Sequence, residues 1–447
     1  MASAAEQLAA NINLGAFSKA TELKKRLWFT LGVLVVYRLG TFIPIPGVDP
    51  VIMQDIFQQN AGGILGMFDM FAGGALGRMT IFALNILPYI SASIIMQLMT
   101  AVSPRFEAMK KEGEQGRKKI NQYTRYGTVL LAALQAYGIS VGLESMTSSQ
   151  GSAVLDPGAF FRVTTVITLT CGTVFLMWLG EQVTARGVGN GISLIIFAGI
   201  VANLPAALVG TLELGRTGAL SAAFILILIV MMFAVIAFVV FIERSQRRIV
   251  VQYPKRQMGN KMTGGESSHI PLKLNTAGVI PVIFASSLLL LPITLANFTA
   301  GGGPGWLLTV SALLGRGQPL YLLLYASGIA FFAFFYTAIV FNPSDTADNL
   351  KKYGGFVPGI RPGKNTADYL DYVLTRLTVV GASYLVAVAI LPEILISRFS
   401  VPFFFGGTSL LIVVTVSMDT VAQIQSHLLA HQYEGLIKKS KLRGRKR

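Results

Sequence analysis

The sequence predicts an all-α polytopic membrane protein, and three observations carry that reading. Hydrophobic residues make up 53% of the 447-residue chain and charged residues only 13%, with a mean hydropathy of +0.61; a soluble domain carries roughly 25% charged residues. The apolar residues gather into ten stretches, each near the length that crosses a bilayer. The 46 glycines suit helices packed closely within a membrane. An ordinary cytosolic enzyme and a disordered chain are both excluded. Cys171 is the only cysteine, which rules out an internal disulfide and a cysteine-built metal site.

A bilayer core requires about 20 mostly apolar residues per helix, because lipid cannot satisfy free backbone groups. The stretches centre on residues 27–42, 79–102, 126–143, 163–180, 190–210, 219–242, 275–297, 320–341, 375–396 and 403–424. Pro44 and Pro46 follow the first and Pro104 the second, where they stop helices. The first stretch is not expected to be a cleaved leader, since polar residues precede it and no small-residue cleavage site follows. Pro88 and Pro281 fall inside stretches two and seven and are read as kink points.

An even number of spans places both termini on one side. Lys and Arg in alternate loops then divide into 31 and five, with Arg38 inside the first span completing the total of 37. The five are Arg78, Arg162, Arg216, Arg316 and Arg398. That asymmetry puts both termini in the cytoplasm and accounts for the net charge of +16. Two cytoplasmic loops exceed what orientation requires. Residues 244–274 carry Arg247, Arg248, Lys255 and Arg256, a β-branched run Ile249-Val250-Val251 and a Gly264-Gly265 turn signal, which together predict a projecting hairpin. Residues 342–374 are long and punctuated by glycine and proline, as functional loops are. Two readings fit these basic prongs: a docking surface for an acidic partner such as ribosomal RNA, or charge that only sets topology.

The spans offer little ionisable chemistry. Arg38 is read as snorkelling to an interface, and Glu181, Glu243 and Asp419 fall near span ends, so an ion-coupled cycle is poorly supported. His427 and His431 lie four apart, but residue 428 is leucine and the general base of a HExxH protease is missing. The run from Gly187 to Gly191 fits no nucleotide-binding pattern and is read as a tight turn into span five. No cofactor and no catalytic or metal-binding residue is expected.

Residues 62–78 are apolar, too short to span and bracketed by glycine pairs. Such a stretch either plugs the protein interior as a re-entrant segment or lies on the outer leaflet as an interfacial helix. Ile86 with Ile90, and Ile192 with Ile196, are pairs one helical turn apart. Stiff β-branched side chains of this kind can close a hydrophobic constriction that excludes ions by dewetting; equally, they can be ordinary core or lipid-facing isoleucines.

Longer strings resemble one known family. Phe42-Ile43-Pro44-Ile45-Pro46-Gly47, Met67-Phe68 through Leu76, Pro88-Tyr89-Ile90-Ser91-Ala92-Ser93-Ile94-Ile95 and Lys111-Glu112-Gly113-Glu114 resemble the SecY family. So do Gly189-Asn190-Gly191-Ile192-Ser193, Gln246-Arg247-Arg248, Phe341-Asn342-Pro343, Phe356 through Gly363, and Phe405 through Ile412. The resemblance is collinear from about residue 19 to 440.

The resemblance implies ten transmembrane helices in two inverted five-helix halves. A cytoplasmic segment 1–26 precedes the first half, 27–210. The second half, 219–424, carries loops 244–274 and 342–374 and is followed by a basic tail, 425–447. The pore ring carries over onto Ile86, Ile90, Ile192, Ile196, Ile283 and Ile412. The plug maps to 63–76, with Ile64, Leu65, Met67, Phe68, Met70 and Phe71. The lateral gate involves Ser91, Gln135, Pro88 and Pro281. Arg247, Arg248, Lys255, Arg256 and Arg361 are the expected docking residues.

The implied function is a passive protein-conducting channel in the bacterial plasma (inner) membrane. It passes unfolded secretory polypeptides and releases hydrophobic segments sideways into lipid. The implied partners are SecE and SecG, the SecA ATPase, the ribosome and its RNA, signal peptides, nascent chains and lipid. A secondary transporter of small solutes is the competing reading, and an intramembrane metalloprotease a distant third.

Overall fold

A computed structural model describes residues 20–60, 69, 72–145, 147–148, 151–217, 221–253, 256–258, 261–263, 267–298, 313, 318–399 and 407–444. Each of the ten apolar stretches coincides wholly or in part with a helix. In order these are α1 (Thr21–Gly40), then a short α2 (Pro50–Asn60), α3 (Leu87–Val102), α4 (Pro104–Lys111), α5 (Glu114–Ser145), α6 (Ala159–Arg186), α7 (Gly191–Arg216), α8 (Ala222–Arg244), α9 (Ile280–Phe298), α10 (Pro319–Val340), α11 (Pro343–Lys352), α12 (Lys364–Phe399) and α13 (Gly407–Gly444). Among the described residues seven helices are long and apolar enough to cross a membrane, or eight if α3 and α4, which meet at 97°, count as one broken span. α1 departs from that composition because Lys24, Lys25, Arg26 and Arg38 lie within it.

The second stretch differs from expectation in where its helix starts. Residues 79–86 run as successive turns, and Met79 and Asn85 adopt positive φ values of 45° and 49°. α3 begins only at Leu87, with Pro88 in its first turn. Proline suits that position because its missing N–H has no intrahelical partner there. Pro281 is likewise the second residue of α9. The expected mid-helix kinks at Pro88 and Pro281 are therefore corrected to helix starts. Pro205 of α7 and Pro392 of α12 lie inside their helices instead, as does Pro292 of α9.

One continuous apolar core joins α1, α3, α6, α7, α8, α9, α10, α12 and α13, and a second cluster packs residues 45–56 and 72–84 against α5 and α6. α8 is the most apolar span and the least buried, with 11% of its window inside the protein. Most of its surface is left exposed by the rest of the chain.

The turn before α7 is a joint between distant helices. Asn190 caps α7 by accepting the Ile192 N–H at 3.1 Å. The Val188 and Gly189 N–H groups donate to Thr30 Oγ1 of α1 (3.1 Å) and Gln423 Oε1 of α13 (2.8 Å). Gly189 holds φ +92°, and a Cβ on Gly191 would stand 2.0 Å from the Gly180 carbonyl oxygen. Leu428 packs with Ala20, Leu23 and Val188. The chain beyond residue 424, expected as a tail, continues α13 as helix to Gly444.

The basic loops form one projecting unit. Strands β1 (Gln246–Gln252) and β2 (Ser267–Lys273) pair antiparallel, with Ile249 opposite Ile270, as the β-branched run predicts. The Gln252 and Phe356 backbones exchange hydrogen bonds of 2.9 and 3.0 Å, which ties the hairpin to the 342–374 loop over a core of Ile249, Leu272, Val357, Leu370 and Leu374. A Cβ on Gly355 would lie 2.9 Å from the Tyr253 ring, so a larger residue there requires that ring to shift. At the base of the hairpin, Asn275 Nδ2 donates to Glu243 Oε1 at 2.6 Å, joining α8 to the approach of α9.

Candidate functional site

The core closes around one narrow cavity lined by Asn85, Ile86, Leu87, Ile90, Ile196, Ile283, Ser286, Ser287 and Ile412. Four chain regions thus meet: the start of α3, the first turns of α7 and α9, and the first turns of α13. The cavity encloses about 10 Å³, the room of about one water molecule. Ile86 and Ile412 are each 1% exposed. Ile86 caps α3, and its carbonyl accepts the Ile90 N–H at 3.1 Å, so the two side chains stack one turn apart. Ser286 spends its hydroxyl on the Ile283 carbonyl at 2.9 Å and so adds little polarity to the wall.

Five of the six expected ring isoleucines therefore line one cavity. Ile192 does not; it packs on α6, where a Cβ on Gly180 would stand 3.0 Å from its Cγ1. Ser286, Ser287 and Leu87 line the cavity without having been anticipated. Their signal was available, since Ser286 and Ser287 lie three and four residues beyond Ile283 on a shared helix face.

The remaining expected residues fall as follows. Ser91 is buried on α3 and Gln135 half-buried on α5, and both helices pack against α9. Pro88 and Pro281, buried at the starts of α3 and α9, flank that seam. Ile64, Leu65, Met67, Phe68, Met70 and Phe71 lie outside the described residues, as does Lys255. The described end of the same segment is inside the protein: Ala72, Ala75 and Leu76 belong to the second apolar cluster. Arg247, Arg248 and Arg361 are exposed on the hairpin-and-loop unit, and Arg256 sits in a short strand, Arg256–Met258. Arg38, read as snorkelling, donates from Nη1 to the Gly73 carbonyl at 2.7 Å. Glu393, overlooked in the ninth stretch, is 4% exposed within α12.

Several long apolar helices gathered around a narrow, isoleucine-lined constriction, with a basic projecting unit, define a helical membrane channel. The chain belongs to the SecY family. The SecY family model matches residues 80–421. The chain is 57% identical over 424 residues to the protein translocase subunit SecY of Escherichia coli (strain K12), covering 95% of this chain and 96% of that one. It is 56% identical over 431 residues to the subunit of the same name from Vibrio cholerae, covering 96% of each. Among solved structures it resembles a protein-conducting channel with a TM-score of 0.65, 18% identity and coverage of 91% and 92%. It also resembles Sec61 in a canine ribosome–channel complex, with a TM-score of 0.61, 18% identity and the same coverage.

Proposed function

We infer that this chain is the pore-forming subunit of a protein translocase, a channel for unfolded polypeptide. The observation that carries the reading is the convergence of Ile86, Ile90, Ile196, Ile283 and Ile412 on a cavity of about 10 Å³. A passage for every kind of side chain works best with walls that bind none of them, and branched apolar side chains seal by excluding water. Membership of the SecY family and likeness to channel structures do not favour a small-solute transporter.

Finer features follow from the family. The chain crosses the bacterial plasma membrane ten times in two halves, with both termini cytoplasmic, as the basic asymmetry of its loops supports. The seam of α3 and α5 against α9 is the lateral gate, supported by buried Ser91 beside it. Sorting there is partition: a charged residue at the membrane centre costs about 2.5–3.5 kcal/mol, whereas Leu or Ile gains a few tenths. Residues 63–76 plug the resting pore. The welded loops dock the driving partner, SecA or the ribosome; two of the structural relatives are ribosome-bound channels. SecE and SecG complete the membrane complex, and the energy comes from the partner.

Reconstitution tests the reading. Vesicles holding the purified channel complex, given SecA, ATP and a secretory precursor, should protect the precursor from added protease. Uptake of small solutes with saturation, and no protected precursor, would contradict it.

A further inference from the structure

Among the described residues, none from α10 lines the neck, yet α10 holds two of the helices that do. On one side it meets α9. Phe284, next to Ile283, sets its ring edge-to-face against Phe332 and Tyr336 of α10, with centroids 5.7 and 6.4 Å apart. Rings so arranged attract beyond what their buried area contributes. A Cβ on Gly328 would stand 3.3 Å from the Ala285 Cβ, so the two helices also approach closely. Phe284, Ala285 and Phe332 are all buried.

On the other side α10 reaches α13 through Tyr325. That residue is 1% exposed and stacks on Tyr321 at 5.9 Å. Its Oη lies 2.6 Å from Thr408 Oγ1, and the two hydroxyls share a buried hydrogen bond. Thr408 is four residues, about one turn, before Ile412, so both side chains project from one face of α13. The same turn is pinned from α12: a Cβ on Gly407 would stand 2.1 Å from the Val388 carbonyl oxygen. Tyr325 and Gly328 are neighbours at i and i+3 on α10, so one turn of that helix connects Ile412 to Ile283. A phenylalanine would fill the space at 325 and stack equally well. What tyrosine adds is a bond that is costly to break where its hydroxyls are buried.

We propose that Tyr325 and Thr408 are positioning residues of the neck: their shared hydrogen bond holds Ile412 on α13 at a fixed spacing from Ile283 on α9, with the intervening turn of α10 as the strut. The proposal rests on the channel reading and makes the seal depend on a bond outside the cavity wall. Widening the neck by parting α9 and α10 from α13 breaks that bond. The bond therefore biases the resting channel toward closure.

Loss of a buried hydrogen bond that strands one partner shifts an equilibrium roughly five- to a hundredfold. The test is single-channel recording of the purified channel complex in planar bilayers without precursor. Tyr325→Phe and Thr408→Val each delete one hydroxyl at nearly constant volume. Each should raise the resting open probability about fivefold or more, while precursor passage in vesicles persists. Thr408→Ser keeps the hydroxyl and should stay as tight as wild type; a leak there equal to that of Thr408→Val assigns the effect to the methyl group and overturns the proposal. The double variant Tyr325→Phe with Thr408→Val removes the same single bond, so it should leak no more than the leakier single variant. A leak equal to the product of the two single effects means that the hydroxyls act independently, which also overturns it. If one single variant yields too little folded channel, the other decides. A purely structural role would lower the number of active channels and leave open probability unchanged, which likewise overturns it. The double variant Ile86→Ala with Ile412→Ala, run in parallel, separates the two claims: leak in that variant with tight hydroxyl variants removes the strut alone, whereas no leak in any variant removes the pore reading beneath it.

Discussion

Shrinking the constriction's two most buried isoleucines should widen a neck that now has room for about one water molecule. Ile86 and Ile412 are each 1% exposed and border a cavity of about 10 Å³. Changing both to alanine removes six methyl or methylene groups. Each leaves room of the order of one water molecule, whose share of liquid volume is about 30 Å³, so on the order of 180 Å³ opens where one water fits now. A neck that loses about 1.4 kcal/mol of its barrier conducts tenfold faster. The deleted groups carried about 0.8 kcal/mol of apolar transfer free energy apiece, so the expected rise in resting ion current is tenfold or more. Stability will also fall, since buried Ile→Ala changes cost about 2–5 kcal/mol each. Leu169→Ala controls for that, because Leu169 is equally buried but belongs to the second cluster, away from the neck. Planar-bilayer recording should find the double variant leaky and the Leu169 variant tight. Equal currents from wild type and the double variant, with folded channel present, would refute the assignment of the seal.

Other changes probe the parts around the neck. Arg361→Glu reverses an exposed charge on the welded hairpin-and-loop unit and should slow SecA-driven uptake into vesicles severalfold without altering resting conductance; unchanged uptake removes Arg361 from the docking surface. Gly191→Ala drives a Cβ to 2.0 Å from the Gly180 oxygen and should cost about 1–3 kcal/mol, read as a lower unfolding midpoint in detergent. Deleting residues 64–72 should leave a channel that folds and carries precursor but leaks at rest, and failure to fold would assign the segment a structural role instead.

What the sequence made legible follows the reach of its patterns. Apolar length marked the helices because lipid permits few alternatives, and the β-branched run at 249–251 marked the hairpin by its own strand preference. Helix starts were harder. An unbroken apolar stretch does not reveal that 79–86 are turns, so Pro88 resembled a kink when it initiates α3. Positive φ at Asn85 is the local cause, and asparagine tolerates it better than most residues. The isoleucine pairs were visible as one-turn neighbours, but only the fold brings α3, α7, α9 and α13 to one neck, and it turns Ile192 onto Gly180 instead. Arg38 was read as an interfacial anchor because its partner, the Gly73 carbonyl, lies 35 residues away and leaves no periodic trace. Gln423, bonded to the Gly189 N–H across 234 residues, is hidden for the same reason.

The central claim is that polypeptide passes through the isoleucine neck. The direct measurement replaces the native thiol, Cys171→Ser, and introduces a single cysteine by Ile90→Cys or Ile283→Cys. A secretory precursor carrying one cysteine is then stalled at graded lengths. Disulfide crosslinks to both positions, appearing and vanishing as the stalled length changes, are the predicted result. A precursor that is engaged, as shown by protection from protease, yet crosslinks to neither position at any length would contradict the account.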